Sequence, residues 1–146
     1  MNPVPTLPTR GASAARAAAA LARCGRRAAR LESLDLGAPG GATLRARVAS
    51  GFVSRLRGLH ALPPLGPSDA LLLVPCRAVH TWGMDRAIDV LFLDRDRMIL
   101  EVRTLAPGRS ARRRGARAVL ETAAGTAARL GLRPGDRLEA RAEASR

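Results

Sequence analysis

A chain of 146 residues that is 47 % apolar is long enough for a single domain with its own core, without disulfide or metal staples. Aromatic residues make up only 2 % of it (Phe52, Trp82 and Phe92, with no Tyr), so the core has to be built from Leu, Val, Ile and Ala. The net charge is +13 and all 25 basic residues are Arg, a bacterial-like composition that attracts polyanions non-specifically, whereas three scattered aromatics supply no stacking platform and no specific nucleic-acid partner is expected.

Two cysteines, Cys24 and Cys76, are too few for a disulfide framework and fit thiols in a reducing compartment. No run reaches the ~18 apolar residues of a membrane span. The Ala-rich segment from Ala12 to Ala22 is interrupted by Arg16 and followed by Arg23, Arg26, Arg27 and Arg30, a poor fit to an export signal. The expected location is therefore cytoplasmic.

Residues 1–10 carry Pro3, Pro5 and Pro8 and read as extended or disordered. Residues 13–34 are Ala/Arg-rich with few large apolar side chains, which fits a loose helix or a basic tail. The run LGAPGGA at residues 36–42 reads as a linker. This makes 1–42 a tail with linker and 43–142 a β-rich domain. Residues 43–49 alternate, with Leu44, Ala46 and Val48 opposed to Arg45 and Arg47, the pattern of a half-buried strand. Phe52, Leu56 and Leu59 have helical spacing. Pro63, Pro64, Gly66 and Pro67 mark a loop. Residues 70–74 form a continuous apolar run and predict a buried strand. So does 87–93, which is apolar on both faces except for Asp89. Asp94-Arg95-Asp96-Arg97 is a turn into a returning strand at 98–105, with Met98, Leu100, Val102 and Thr104 on one face and Ile99, Glu101 and Arg103 on the other. A polar, Arg-rich loop covers 107–115. A strand follows at 116–121, then a short helix at 123–130 stopped by Gly131, and a last strand at 137–142 after the turn at Arg133-Pro134-Gly135-Asp136. Many short strands separated by turns predict a mainly β or β-rich α+β domain, sandwich- or barrel-like, with one or two short helices.

The residues that could carry chemistry gather at 75–94. Cys76, His80 and Met84 are spaced by four and form a soft donor set suited to Cu(I) or Zn(II), although Gly83 breaks regular geometry before Met84. The plain reading has Cys76 and Met84 as core residues and His80 as a hydrogen-bonded turn residue. Cys76 with His80, oriented by Asp89, has the composition of a thiol nucleophile with its base. Asp89 stands in an apolar strand, where a charge needs a partner. Arg55, Arg57 and Arg86 are candidates, and a structural ion pair or a turn-capping role is favoured over catalysis. Glu121, at the end of another apolar run, invites the same reading. The arginines at 109–117 read as a solvated loop or as an anion contact. The sequence has no Gly-rich phosphate loop, paired-Cys zinc motif or Ser-centred nucleophile elbow, so no cofactor is expected.

In order, Arg55-Leu56-Arg57-Gly58-Leu59, Pro75-Cys76, Val79-His80-Thr81-Trp82-Gly83-Met84 and Ile88-Asp89-Val90-Leu91-Phe92-Leu93-Asp94 resemble the domain of unknown function 192 family. The resemblance continues through Leu105-Ala106-Pro107, Arg109, Ala118-Val119-Leu120-Glu121, Ala124-Gly125, Gly131-Leu132 and Gly135-Asp136, and so spans about residues 43–140. It implies a small β-rich domain and no established reaction. Asp85-Arg86-Ala87 after Met84, His60 after Leu59 and the N-terminal tail depart from the family pattern. The function expected from all this is a non-enzymatic binding or accessory module with a small pocket near the His80–Asp89 segment, for a small ligand or protein partner. The candidate ligand-binding residues are Arg57, His80, Trp82, Met84, Asp89 and Arg109. An enzyme using Cys76 or His80 with Asp89, and a soft-metal site, are the alternatives. The sequence leaves the oligomeric state open.

Overall fold

The structure, a computed structural model, describes residues 32–49 and 65–141. Its strands are β1 (Glu32–Gly37), β2 (Thr43–Ala49), β3 (Asp69–Leu73), β4 (Ala78–His80), β5 (Ile88–Leu93), β6 (Ile99–Leu105), β7 (Ser110–Arg112), β8 (Ala118–Ala123) and β9 (Glu139–Arg141). One short helix, α1 (Thr126–Arg129), follows β8. Seven strands form one mixed sheet in the order β6-β5-β8-β3-β2-β1-β9, and β4 with β7 makes a separate two-stranded ribbon. Only the β2–β3 pair is parallel among these ladders.

Registers line the strands up in rows that alternate between the two faces of the sheet. One row runs Val102, Leu91, Leu120, Leu72 and Val48, and the next runs Glu101, Phe92, Val119, Leu73 and Ala49. The first belongs to a core on the inner side of a partly rolled sheet, with Leu36, Ile99, Leu132 and Leu138. The second belongs to a core on the opposite face, where Val79 of β4 and Ala111 of β7 pack. This is why β5 is apolar on both faces: it lies between two layers. The inner face rolls because the start of β6 also pairs with the segment entering β9. The Ile99 amide donates to the Asp136 carbonyl (2.8 Å), and the Leu138 amide donates to that of Arg97 (3.1 Å). A single bridge, Met98 to Arg137, joins these ends, so the sheet is not a closed barrel.

The mainly β class expected from the sequence is the class observed, and three local readings change. Residues 36–42 are not all linker: Leu34 and Leu36 alternate within β1, Leu36 is fully buried, and the Ala38 amide bonds the Ala42 carbonyl (2.8 Å) across the β1–β2 turn. Within 98–105 the alternation slips. Phe92 pairs with Glu101 but Leu93 with Ile99, so Leu100 is an extra residue, a β-bulge that turns Ile99 into the inner core beside Val102. The helix expected at 123–130 shrinks to four residues because Ala123 still belongs to β8. The helical spacing at Phe52, Leu56 and Leu59 lies outside the described residues. Among the described residues no helix is long and apolar enough to cross a membrane.

Candidate ligand-binding surface

The alternation of β4 runs on past its end. Ala78, His80 and Trp82 face outward, while Val79 and Thr81 are buried. Residues i and i+2 on an extended chain point the same way, which brings the His80 and Trp82 rings together. The rings stack with centroids 4.8 Å apart and planes 22° from parallel. Trp82 is 61 % exposed and is the one large hydrophobic side chain left exposed among the described residues.

Thr81, between the two rings, fixes this arrangement. Its hydroxyl donates to the Ala106 carbonyl (2.6 Å) and accepts from the Arg109 amide (2.9 Å). Its own amide donates to the Arg109 carbonyl (2.8 Å), and its carbonyl accepts from the amides of Gly108 (2.9 Å) and Met84 (3.2 Å). The Met84 bond closes a tight turn whose third residue, Gly83, has φ 77°, a conformation that glycine adopts without strain. The exposed rings therefore stand on a loop clamped to residues 106–109. Thr81→Val keeps the shape but strands the Arg109 amide and the Ala106 carbonyl. It is expected to lower stability by about 2 kcal/mol, measured by urea unfolding followed through Trp82, and to make Trp82 more accessible to acrylamide.

The other predicted site residues are divided by the fold. Arg109 is exposed beside the Thr81 clamp, and Met84 is half-buried against the outer-face core, as is Cys76. The Cys76 thiol donates to the Ala78 carbonyl (3.2 Å). Asp89 is buried on the inner side. Its Oδ1 accepts from the Thr104 hydroxyl (2.7 Å) and its Oδ2 from the Ala127 amide (2.9 Å). Its partners are thus a neighbouring-strand hydroxyl and the first turn of α1, the turn-capping role. Arg86 pairs instead with Asp85 (3.1 Å), whose carboxyl the guanidinium holds below the usual range. Arg55 and Arg57 lie outside the described residues. Among the described residues, no three His, Cys, Asp or Glu side chains gather as a metal would need.

Sequence reasoning gave Glu121 the same answer as Asp89, and here the two part. The row through Glu121 reads Arg103, Val90, Glu121, Leu71, Arg47 across the strands, on the opposite face from Asp89. Both cross-strand neighbours are apolar. The nearest arginines in the row are two strands away, roughly 10 Å in backbone spacing. Glu121 is 4 % exposed, and its Oε2 has no hydrogen-bond partner among the described residues. Burial alone pushes its carboxyl up from 4.5 to about 7. Thr81 is the residue that sequence reasoning missed. Its signal was the alternation Ala78-Val79-His80-Thr81-Trp82, which places a hydroxyl on the inward side.

The ribbon is strongly basic. The segments 75–83 and 106–117 contain Arg77, Arg109, Arg112, Arg113, Arg114 and Arg117, all exposed, and no Asp or Glu. Arg113 has the Glu101 carboxylate at 3.7 Å, and the other five make no ion pair among the described residues. Arg112 pairs with Ala78 and Ser110 with His80, so these four share the outward face of the ribbon.

No curated protein matches the chain. Among solved structures, a protein of unknown function from Novosphingobium aromaticivorans DSM 12444 is similar in fold, with a TM-score of 0.65 and 24 % identity over 73 % of this chain and 83 % of its own. A Sinorhizobium meliloti 1021 protein described as a "putative transcription regulator" gives a TM-score of 0.67 and 25 % identity over 78 % of this chain and 98 % of its own. The model of the domain of unknown function 192 family, described as an uncharacterized ACR, matches residues 36–140, from within β1 to within β9, and the chain belongs to that family.

Proposed function

We propose that the domain is a non-enzymatic binding module that takes its ligand on the outward face of the β4–β7 ribbon, with His80 and Trp82 as the stacking contact and Arg109 as the anion contact. The observation that carries this reading is the exposed His80–Trp82 stack, held on a loop that buries Thr81 and satisfies its backbone and hydroxyl groups. Exposing a Trp at 61 % while rigidifying its backbone forgoes burial and pre-organises a contact surface. The ligand class that fits is one combining a flat ring with a negative charge. Met84 closes the turn under Trp82 through its backbone bond to Thr81 and packs on the outer-face core, and Asp89 contributes through the fold by holding α1 against β5. The description carried by the Sinorhizobium meliloti chain names a regulatory role and not a reaction, in keeping with this reading.

Trp82 is the sole Trp of the chain, so its fluorescence reports this site and no other. Titration with naphthalene disulfonate, a flat dianion, is expected to quench Trp82 saturably. Arg109→Gln is expected to weaken that quenching by about tenfold, the loss of one charge-assisted contact. Quenching that never saturates, or that is the same in Arg109→Gln, removes the proposal.

A further inference from the structure

We infer that the natural occupant of this face is single-stranded nucleic acid, bound without sequence preference, with a base on the Trp82 ring and the adjoining phosphates on Arg109, Arg112 and Arg77. The inference rests on the binding reading above and names its partner. Single-strand binders combine a basic track with exposed rings on which bases stack, and any base will serve because each has a π face. Counting Phe, Trp and Tyr along the sequence shows three separated residues and no platform, but that count omits His80. The structure stacks His80 against the exposed Trp82 ring.

Exposed arginines stand on the same ribbon as the rings. Arg109 is bonded through its backbone to Thr81, the residue between the two rings. Arg112 lies across the ribbon from Ala78 on the same outward face as His80, and the Arg113 amide bonds the Arg77 carbonyl (3.0 Å), bringing Arg77 to the same end. None of these three guanidiniums is engaged by a carboxylate among the described residues. An acidic peptide would satisfy the charge and leave the rings idle. A bilayer would satisfy the charge, but the ribbon offers it one exposed large hydrophobic side chain, Trp82.

The test uses the full chain with a twelve-residue oligothymidylate and reads Trp82 emission. This separates the ribbon from any binding by the Arg-rich residues 1–31. Saturable quenching is expected, with log K falling against log salt at a slope of about −2, the value for about three phosphates on a single strand. Arg109→Gln with Arg112→Gln should weaken it at least tenfold and flatten the slope, while Arg95→Gln with Arg133→Gln, exposed arginines in turns outside the ribbon, should leave it unchanged. Trp82→Ala, followed by anisotropy of a labelled oligothymidylate, should lose about tenfold in affinity, and Trp82→Phe should recover most of it. Oligothymidylate that binds without altering Trp82 emission overturns the inference, as does polyglutamate that quenches equally well. If naphthalene disulfonate quenches and oligothymidylate does not, the binding face stands and this partner is wrong. If neither quenches, both readings fall.

Discussion

Replacing Glu121 by Gln is expected to stabilise the domain by about 3 kcal/mol at pH 8.5 and to leave it nearly unchanged at pH 4.5. Burial raises the Glu121 carboxyl from 4.5 to about 7 in the folded chain. Below pH 4.5 the group is protonated in both the folded and the unfolded chain and does not make stability depend on pH. Between 4.5 and about 7 the unfolded chain ionises while the folded one holds its proton, so stability falls by about 1.4 kcal/mol for each pH unit. Above about 7 both are ionised, and the folded state carries the whole cost of a charge among Val90 and Leu71. Gln is neutral throughout and abolishes that fall. Glu121→Leu should gain about 1 kcal/mol more at every pH, because it also removes the unpartnered oxygen. Urea midpoints measured from pH 4.5 to 8.5 decide the matter. Parallel pH profiles for the wild type and Glu121→Gln would show that this carboxyl is not the group that titrates. About 3 kcal/mol corresponds to roughly 10 °C in melting temperature for a chain of this size.

Asp89→Ala is expected to destabilise by about 3 kcal/mol, with Asp89→Asn recovering most of that loss. The carboxylate accepts one bond from each side, the Thr104 hydroxyl and the Ala127 amide. Alanine leaves a buried amide at the first turn of a four-residue helix with nothing to accept from it. Asparagine keeps the Ala127 bond through its carbonyl and can donate its amide to the Thr104 oxygen, since a hydroxyl also accepts. The contrast separates a positioning role from a chemical one. A carboxylate needed for its charge would be lost in both variants, whereas a capping acceptor is lost only in alanine. Equal losses in the two variants, by thermal unfolding, would contradict the capping role. Hydrogen exchange at the Ala127 amide gives a local readout and should accelerate in Asp89→Ala.

The two carboxylates also show how much of the site was legible in the sequence. Each sits in an apolar strand, and composition along the chain gives both the same reading. Asp89 stands one row nearer the end of β5 that meets α1, where a hydroxyl and an amide come within reach. Glu121 stands one row further in and on the other face, where its cross-strand neighbours are Val90 and Leu71. Register decides this, and register is set by pairing between strands far apart in the sequence. The bulge at Leu100 was invisible for the same reason. A two-residue alternation fits 98–105 by eye, and only the pairing with β5 shows one residue too many. The gathering of rare residues at 75–94 was plain in the sequence, as was the break at Gly83. Their sorting was not. His80 and Trp82 went outward, Cys76 and Met84 went to the edge of a core, and Asp89 went beneath a helix.

The sequence by itself determined that this is a single β-rich domain with an aliphatic core, because its short alternating and continuous apolar runs, cut off by turn residues, are of strand length. It also determined the family, through motifs whose order survives in the fold, and the excess of arginine. The tertiary structure alone decided which of those arginines share a ribbon with the ring pair and which carboxylate is satisfied. Both depend on strands brought side by side from opposite parts of the chain, and contacts at such separations leave no periodicity for a local reading to find.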